Sequence, residues 1–157
     1  MVSTDLANTG TTDAGCSPTA YFTQVRDEQH DALSLYTLVQ QGFALDQVKA
    51  MVASSELYSS ADLLFRITGQ HSAVVQPQSH GAEGARLSAQ QSAVAFQFAK
   101  ALEHAMAVFG GQRPAELWLA SPCRFLAGNV PLDMIDNALG FHAVEVYLTR
   151  VEHGVYQ

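Results

Sequence analysis

Residues that end or start helices recur at short intervals in the C-terminal third of this chain, and this pattern constrains the fold most. Residues 114–157 contain the only Trp, three of the five Pro and three of the eleven Gly. The apolar residues between them keep the spacing of one helix face, most clearly at Phe141, Val144, Leu148 and Val151. No catalytic motif accompanies the pattern. It is therefore typical of a small helical domain that binds a partner through its shape.

The remainder of the chain also predicts helices. The strongest prediction starts with Ser88 as N-cap and Gln91 completing a capping box, and it ends at Gly110. Strand signals are nearly absent, so we predict an all-α fold of seven or eight helices. Residues 1–18 are small and polar and predict a disordered tail. After this tail we predict a helical region over residues 19–112 and a second helical domain over residues 113–157.

Within the C-terminal domain, Pro131 is predicted to start a helix that runs through Leu139, with Gly140 as the residue that stops it. Gly128 and Gly140 are both predicted to adopt positive φ, which Gly tolerates best. Trp118 is the largest apolar side chain of the segment, and we predict that it lies in the core.

The charge of the chain limits its partners. The formal net charge is -7 with only 8 Lys and Arg, and charged residues make up 15% of the chain, against about 25% in an average protein. A strong sequence-independent grip on nucleic-acid phosphates is not expected from such a chain. Its acidity suits a partner with a basic cleft, and its weakly charged surface predicts apolar area for a partner or a second copy.

The usual signs of secretion, membrane insertion and catalysis are missing. The N-terminus has no signal-peptide pattern and no apolar run is long enough for a membrane span, so we expect a cytoplasmic protein. Cys16 and Cys123 lie far apart and predict free thiols. His142 and Glu145 share a helix face but lack the further ligands that zinc requires. Phosphate-binding motifs are also absent. We predict a protein that is not an enzyme and that holds neither metal nor cofactor.

The spaced positions of the C-terminal segment resemble a known family. In order they are Trp118, Leu119, Pro122, Leu126, Gly128, Pro131, Leu132, Asp133, Ile135, Gly140, Val144, Leu148, Arg150, Val151 and Gly154. This pattern resembles the C-terminal toxin-binding domain of the MbcA/ParS/Xre antitoxins, over residues 114–157. Upstream there is a weaker resemblance: Leu87–Ser88 and Gln91–Ser92 resemble the start of a helix in that family's Xre-like region. We therefore expect the N-terminal helical region of this chain to be Xre-like, with a degenerate helix-turn-helix.

The resemblance implies a function and a partner. Members of the family are bacterial antitoxins, and their partners are RES-domain toxins that consume NAD or transfer ADP-ribose from it. The antitoxin covers the NAD pocket of the toxin with its C-terminal domain, often as a dimer within a larger complex. Two alternatives stay open: a helix-turn-helix transcriptional regulator acting as an autorepressor, and a stand-alone helical interaction module. A regulator needs a basic recognition face, which this chain lacks.

Residue roles follow from the same comparison. We expect structural roles in the toxin-binding domain for Trp118, Leu119, Pro122, Gly128, Pro131, Leu132, Gly140 and Gly154. Toxin contacts are predicted at the polar or exposed residues of the C-terminal end, which are Arg150, Glu152, His153, Val155, Tyr156 and Gln157.

The element that corresponds to a DNA-recognition helix is unusual. The stretch 71–78 contains no Lys or Arg, and Pro77 interrupts it. DNA readers usually make several phosphate contacts through basic side chains. We therefore predict weak or absent DNA binding at His71, Ser72, Gln76 and Gln78, with any DNA affinity coming through the complex with the toxin.

Overall fold

The computed structural model describes residues 17–23, 31–69 and 84–154. These residues form nine α-helices and one 3-10 helix, so the all-α prediction is confirmed, with more helices than expected. The helices are α1 (Ala20–Thr23), α2 (Ala32–Gln41), α3 (Leu45–Ala53), α4 (Glu56–Ser60), α5 (Leu63–Thr68), α6 (Ala89–Phe109), α7 (Gln112–Leu119), α8 (Pro131–Met134) and α9 (Ala138–Glu152), and the 3-10 helix is Arg124–Leu126. None of the helices in these ranges has the length and apolar character that crossing a membrane requires.

The longest helix, α6, forms the centre of the molecule. Its N-terminus has the predicted capping box, with the Ser88 hydroxyl accepting from the Gln91 backbone N–H and the Gln91 side chain accepting from the Ser88 N–H. It ends at Gly110, which has φ 80°. Helices α2 and α5 pack against α6 from the N-terminal side of the chain, and α7 and α9 from the C-terminal side. The two parts of the chain therefore share one core along α6.

Buried polar groups fix the geometry of the N-terminal part. The Tyr58 hydroxyl, fully buried, donates to the Phe98 carbonyl at 2.7 Å. The buried Ser92 hydroxyl accepts from the Phe43 N–H at 2.9 Å. Each of these bonds connects an N-terminal helix or loop to α6. Since buried polar groups without partners are costly, these bonds select one arrangement of the elements around α6.

A short N-terminal segment packs against the same helix. The hydroxyls of Ser17 and Thr19 and the Thr19 backbone N–H all donate to one carboxylate oxygen of Glu103. Pro18 is buried. Residues 1–16 of the predicted tail lie outside the described residues, whereas Ser17 and Pro18, also assigned to the tail, belong to the packed part of the chain.

The helix predicted from Pro131 to Leu139 is wrong in its extent. Helix α8 ends at Met134, and α9 begins at Ala138 with the Asn137 side chain accepting from the Gly140 N–H at 2.8 Å. Gly140 is thus in the first turn of α9 and does not stop a helix. It also lacks the predicted positive φ, which Gly128 does have (80°). A Cβ at Gly140 would lie 2.1 Å from the Met134 carbonyl oxygen, so close packing requires this glycine.

Candidate functional site

The C-terminal domain is built around a small apolar centre. Leu119 of α7, Ile135, which follows α8, and Val144 and Leu148 of α9 are all fully buried. Among the other predicted structural residues, Pro131 and Leu132 are buried, whereas Pro122 is exposed just beyond α7. Two of the predicted inner-face positions of α9, Val144 and Leu148, therefore lie in the core as expected.

The loop between α7 and α8 closes on itself. The Cys123 N–H donates to the Asn129 carbonyl at 3.0 Å, and the Gly128 N–H donates to the Cys123 carbonyl at 2.9 Å. The positive φ of Gly128 permits this tight return. Cys123 is buried and makes no disulfide. The loop therefore holds the 3-10 helix Arg124–Leu126 in a defined position on the surface.

The first group of carboxylates in this domain pairs with a residue of the N-terminal part. The Arg66 guanidinium, on α5, lies 3.1 Å from a carboxylate oxygen of Asp133 and 3.1 Å from one of Asp136. It also donates to the Leu132 carbonyl at 3.3 Å and lies over the Phe98 ring. Arg66 thus joins α5 to the segment around α8.

The second group of carboxylates surrounds a histidine of α6. His104 Nδ1 lies 3.1 Å from a Glu145 carboxylate oxygen, and His104 Nε2 lies 3.6 Å from one of Glu152. The remaining carboxylate of residues 113–154, Glu116, accepts from the Gln112 side chain at 2.7 Å. Each acidic side chain of this domain therefore has a partner within the chain, although the second carboxylate oxygen of Glu145 is buried without a hydrogen-bond partner among the described residues.

Four aromatic rings of this domain lie in series, and we call them the aromatic column: Phe109, Trp118, Tyr147 and Phe125. Phe109 and Trp118 have ring centroids 5.3 Å apart, Trp118 and Tyr147 are parallel at 5.5 Å, and Tyr147 and Phe125 are stacked at 5.9 Å. Phe109, Trp118 and Tyr147 are half-buried, while Phe125 is 57% exposed. Trp118, which we predicted to lie in the core, is therefore half-buried and packs against the edge of the core.

The sequence offered no spacing from which this column could be recognised. Its rings come from α6, α7, the 3-10 helix and α9. Phe125 and Tyr147 are isolated aromatic residues in the sequence. Beside Trp118 in the chain, Leu117 is 67% exposed. Leu139, in the first turn of α9, is 84% exposed.

The residues predicted to contact a toxin lie partly within the described residues. Arg150, Glu152 and His153 are exposed in and after the last turn of α9. The Glu152 carboxylate is directed to His104, and His153 Nδ1 lies 2.7 Å from the Thr149 carbonyl. Gly154 has φ 71°, just past the helix. Val155, Tyr156 and Gln157, and the DNA-associated His71, Ser72, Gln76 and Gln78, lie outside the described residues.

The described ranges hold no group of three or more His, Cys, Asp or Glu residues arranged to bind a metal ion. Glu145, considered from the sequence as a metal ligand together with His142, instead pairs with His104.

The comparison with known protein families gives one match. Residues 104–154 match the family model described as the antitoxin Xre/MbcA/ParS C-terminal toxin-binding domain. The match starts at His104, in the second half of α6, and includes α7, α8, α9 and the complete aromatic column. It confirms the resemblance found from the sequence. No curated protein matches the chain.

Proposed function

Residues 104–154 are a toxin-binding domain of the Xre/MbcA/ParS antitoxin family, and from this premise we propose that the chain neutralises a RES-domain toxin. The toxin consumes NAD or transfers ADP-ribose from it, and the antitoxin acts in the cytoplasm by covering the NAD-binding active site. The family match is the observation that carries this proposal. Blocking access requires a rigid surface and no reaction of the antitoxin itself.

The rigidity of the domain supports this mode of action. Its loop Cys123–Asn129 is closed by backbone hydrogen bonds, and α9 is held to α6 by the His104 contacts. A preorganised binding surface loses little entropy on association. Arg150, Glu152 and His153 lie at the end of α9, and we propose that they contact the toxin together with Val155, Tyr156 and Gln157.

We further propose that the antitoxin is a dimer in its complex with the toxin, with residues 19–112 as the Xre-like region and 113–157 as the toxin-binding domain. Helix α2 supports a second-copy contact because it has no buried residue and exposes Leu33 and Tyr36. These two side chains lie three residues apart, on one side of the helix.

Operator binding by the free chain is disfavoured by the placement of its basic residues. Between residues 57 and 86 the sequence has only two, Arg66 and Arg86. Arg66 is held by Asp133 and Asp136, and Arg86 donates to the Gly42 carbonyl at 3.3 Å. We propose that the free chain binds DNA weakly or not at all. A gel shift with its own promoter at about 100 mM salt tests this, and tight, specific retardation would contradict it.

Co-expression tests the main proposal. The product of the adjacent reading frame is expressed with and without this chain, and growth and cellular NAD are measured, followed by a pull-down. We expect growth arrest and NAD loss without the antitoxin and recovery with it. Deletion of residues 155–157 should weaken recovery while the chain stays folded. Continued growth arrest with full-length antitoxin present would overturn the proposal.

A further inference from the structure

In the toxin-binding domain the carboxylates have partners within the chain, whereas several large apolar side chains are exposed. The domain is acidic, with five Asp and Glu against three Arg in residues 104–154. All five carboxylates nevertheless have partners within the chain, as described above, although Asp133 and Glu152 stay 68% and 55% exposed. The large apolar side chains exposed on the outside of the domain are Leu117, Leu139 and Phe125, and Phe125 is the outer ring of the aromatic column.

Two positively charged side chains lie near these apolar residues in the chain. Arg113 lies one helical turn before Leu117 on α7, so both project from the same side of that helix. Arg124 directly precedes Phe125. Both arginines are exposed and form no ion pair within the described residues. Each exposed apolar side chain of the proposed contact thus has an arginine next to it on the same helix or in the chain, and a matching partner surface is apolar with carboxylates beside it.

The column is suited to binding because it is already ordered. Phe125 is stacked on Tyr147, and Tyr147 on Trp118, so these rings hold their positions before a partner arrives. Aromatic side chains in preorganised positions contribute large contact area with little loss of conformational entropy, and they dominate binding energy at many interfaces.

We propose that the toxin is anchored on the aromatic column and Leu117, through an apolar hollow of the toxin that is bordered by acidic side chains. The inference rests on the proposed function, since it identifies the surface by which the domain holds its toxin. The family match supports the choice of partner, because the whole column lies within the segment matched to a toxin-binding domain. The contact is made by Phe125 and Leu117 at the outside, with Trp118 and Tyr147 supporting them.

The chain provides an exposed leucine of the same domain as a control. Leu117 and Phe125 are 67% and 57% exposed, and Leu139, in the first turn of α9, is 84% exposed. The double variant Leu117→Ala/Phe125→Ala removes the proposed anchor, and Leu139→Ala removes an exposed apolar side chain that is not part of the anchor. Affinity for the purified product of the adjacent reading frame is measured by calorimetry, and thermal unfolding confirms that each variant is folded.

We expect the anchor variant to bind at least roughly 30-fold more weakly, as is typical for the loss of hot-spot residues, and the Leu139→Ala variant to bind like the wild type. Trp118 is the only Trp, so its fluorescence emission should shift when the wild-type chain binds. Wild-type affinity should decrease as the salt concentration is raised, because the acidic border of the hollow is attracted to Arg113 and Arg124 and salt screens this attraction.

The outcomes separate this inference from the proposed function. If the wild-type chain binds and both variants bind equally well, the anchoring surface is wrong and the antitoxin function stands. A loss of affinity in the Leu139→Ala variant alone would move the contact to the start of α9 and also overturn the inference, as would a wild-type affinity that does not change with salt. If the wild-type chain neither binds nor protects cells, the proposed function fails and the inference fails with it.

Discussion

The N-terminal part of the molecule and its toxin-binding domain use polar and apolar side chains in opposite ways. Around α3, α4 and the first half of α6, polar groups are buried and satisfied, as at Tyr58 and Ser92. In the toxin-binding domain, polar pairing occurs near the surface, and aromatic rings extend outward to Phe125. The first arrangement specifies one packing of helices. The second leaves ordered apolar side chains exposed at the surface, among them Leu117 and Phe125.

Each part nevertheless depends on a glycine of its own, at a point where two backbone segments approach closely. A Cβ at Gly42 would lie 2.2 Å from the Leu87 carbonyl oxygen, and one at Gly140 would lie 2.1 Å from that of Met134. The difference between the two parts therefore concerns their side chains, since each is closed by the same kind of backbone contact.

The largest effect is expected from Gly140→Ala, which tests how tightly the toxin-binding domain is closed. The new methyl group overlaps backbone atoms, so α8 and α9 must separate, and the free energy of unfolding should fall by about 3 kcal/mol. Gly128→Ala is the control, because Gly128 has open space around it and the change costs only about 1 kcal/mol for its positive φ. Denaturant unfolding measures both, and equal losses would show that the close approach is unimportant.

Tyr58→Phe tests the buried polar contacts of the N-terminal part. The change removes the hydroxyl that donates to the Phe98 carbonyl and should lower the free energy of unfolding by about 1.5 kcal/mol. Tyr36→Phe makes the same chemical change at an exposed position, where we expect less than about 0.5 kcal/mol. A Tyr58→Phe protein as stable as the wild type would contradict the structural role of this bond.

Arg66→Gln tests the ionic contact between the two parts. Its partners Asp133 and Asp136 are largely exposed, so the loss should be small, about 1 kcal/mol, and it should decrease at high salt. Arg113→Gln serves as the matched control, because Arg113 forms no ion pair among the described residues. If the two variants unfold alike at every salt concentration, Arg66 does not join the two parts energetically.

The smallest effect concerns the pH dependence that Glu103 adds where the N-terminal segment meets α6. Burial opposes its ionised form, but hydrogen bonds from Ser17 and Thr19 and the nearby Lys100 hold the pKa of Glu103 below its usual value. A carboxyl whose pKa is lower in the folded chain stabilises the fold at neutral pH, and this contribution disappears as the pH falls through the folded-state pKa.

We therefore expect Glu103→Gln to lower the melting temperature at pH 7 and to differ progressively less from the wild type below about pH 5. Melting curves over this pH range measure the effect. Ser17→Ala should reproduce part of it, because it removes one donor to the same carboxylate. A constant difference between wild type and Glu103→Gln at all pH values would contradict the assignment.

Local sequence signals predicted the elements whose ends depend on neighbouring residues. The capping box of Ser88 and Gln91 and the end of α6 at Gly110 were found at the expected positions. The inner face of α9 was also predicted, because its apolar residues follow the helical period. These features need only hydrogen bonds and side-chain directions within a few residues of each other.

Contacts between distant segments were not predictable in this way. Pro131 and Gly140 look like the two ends of one helix, yet the chain ends α8 at Met134 so that α9 can pack against it, and Gly140 serves that close approach. The engagement of Arg66 with Asp133 and Asp136 joins residues more than sixty positions apart. A pattern of neighbouring residues cannot predict an ion pair between residues so far apart in the chain.

By itself the sequence determined that this chain is all-helical, where its longest helix is capped and that its last segment has the pattern of a toxin-binding domain. Tertiary structure alone decided which charges are engaged and which aromatic rings line up on the surface. The physical reason is range: capping and helical periodicity act within a turn or two of the chain, whereas ion pairs and ring stacking depend on how separate helices pack around α6.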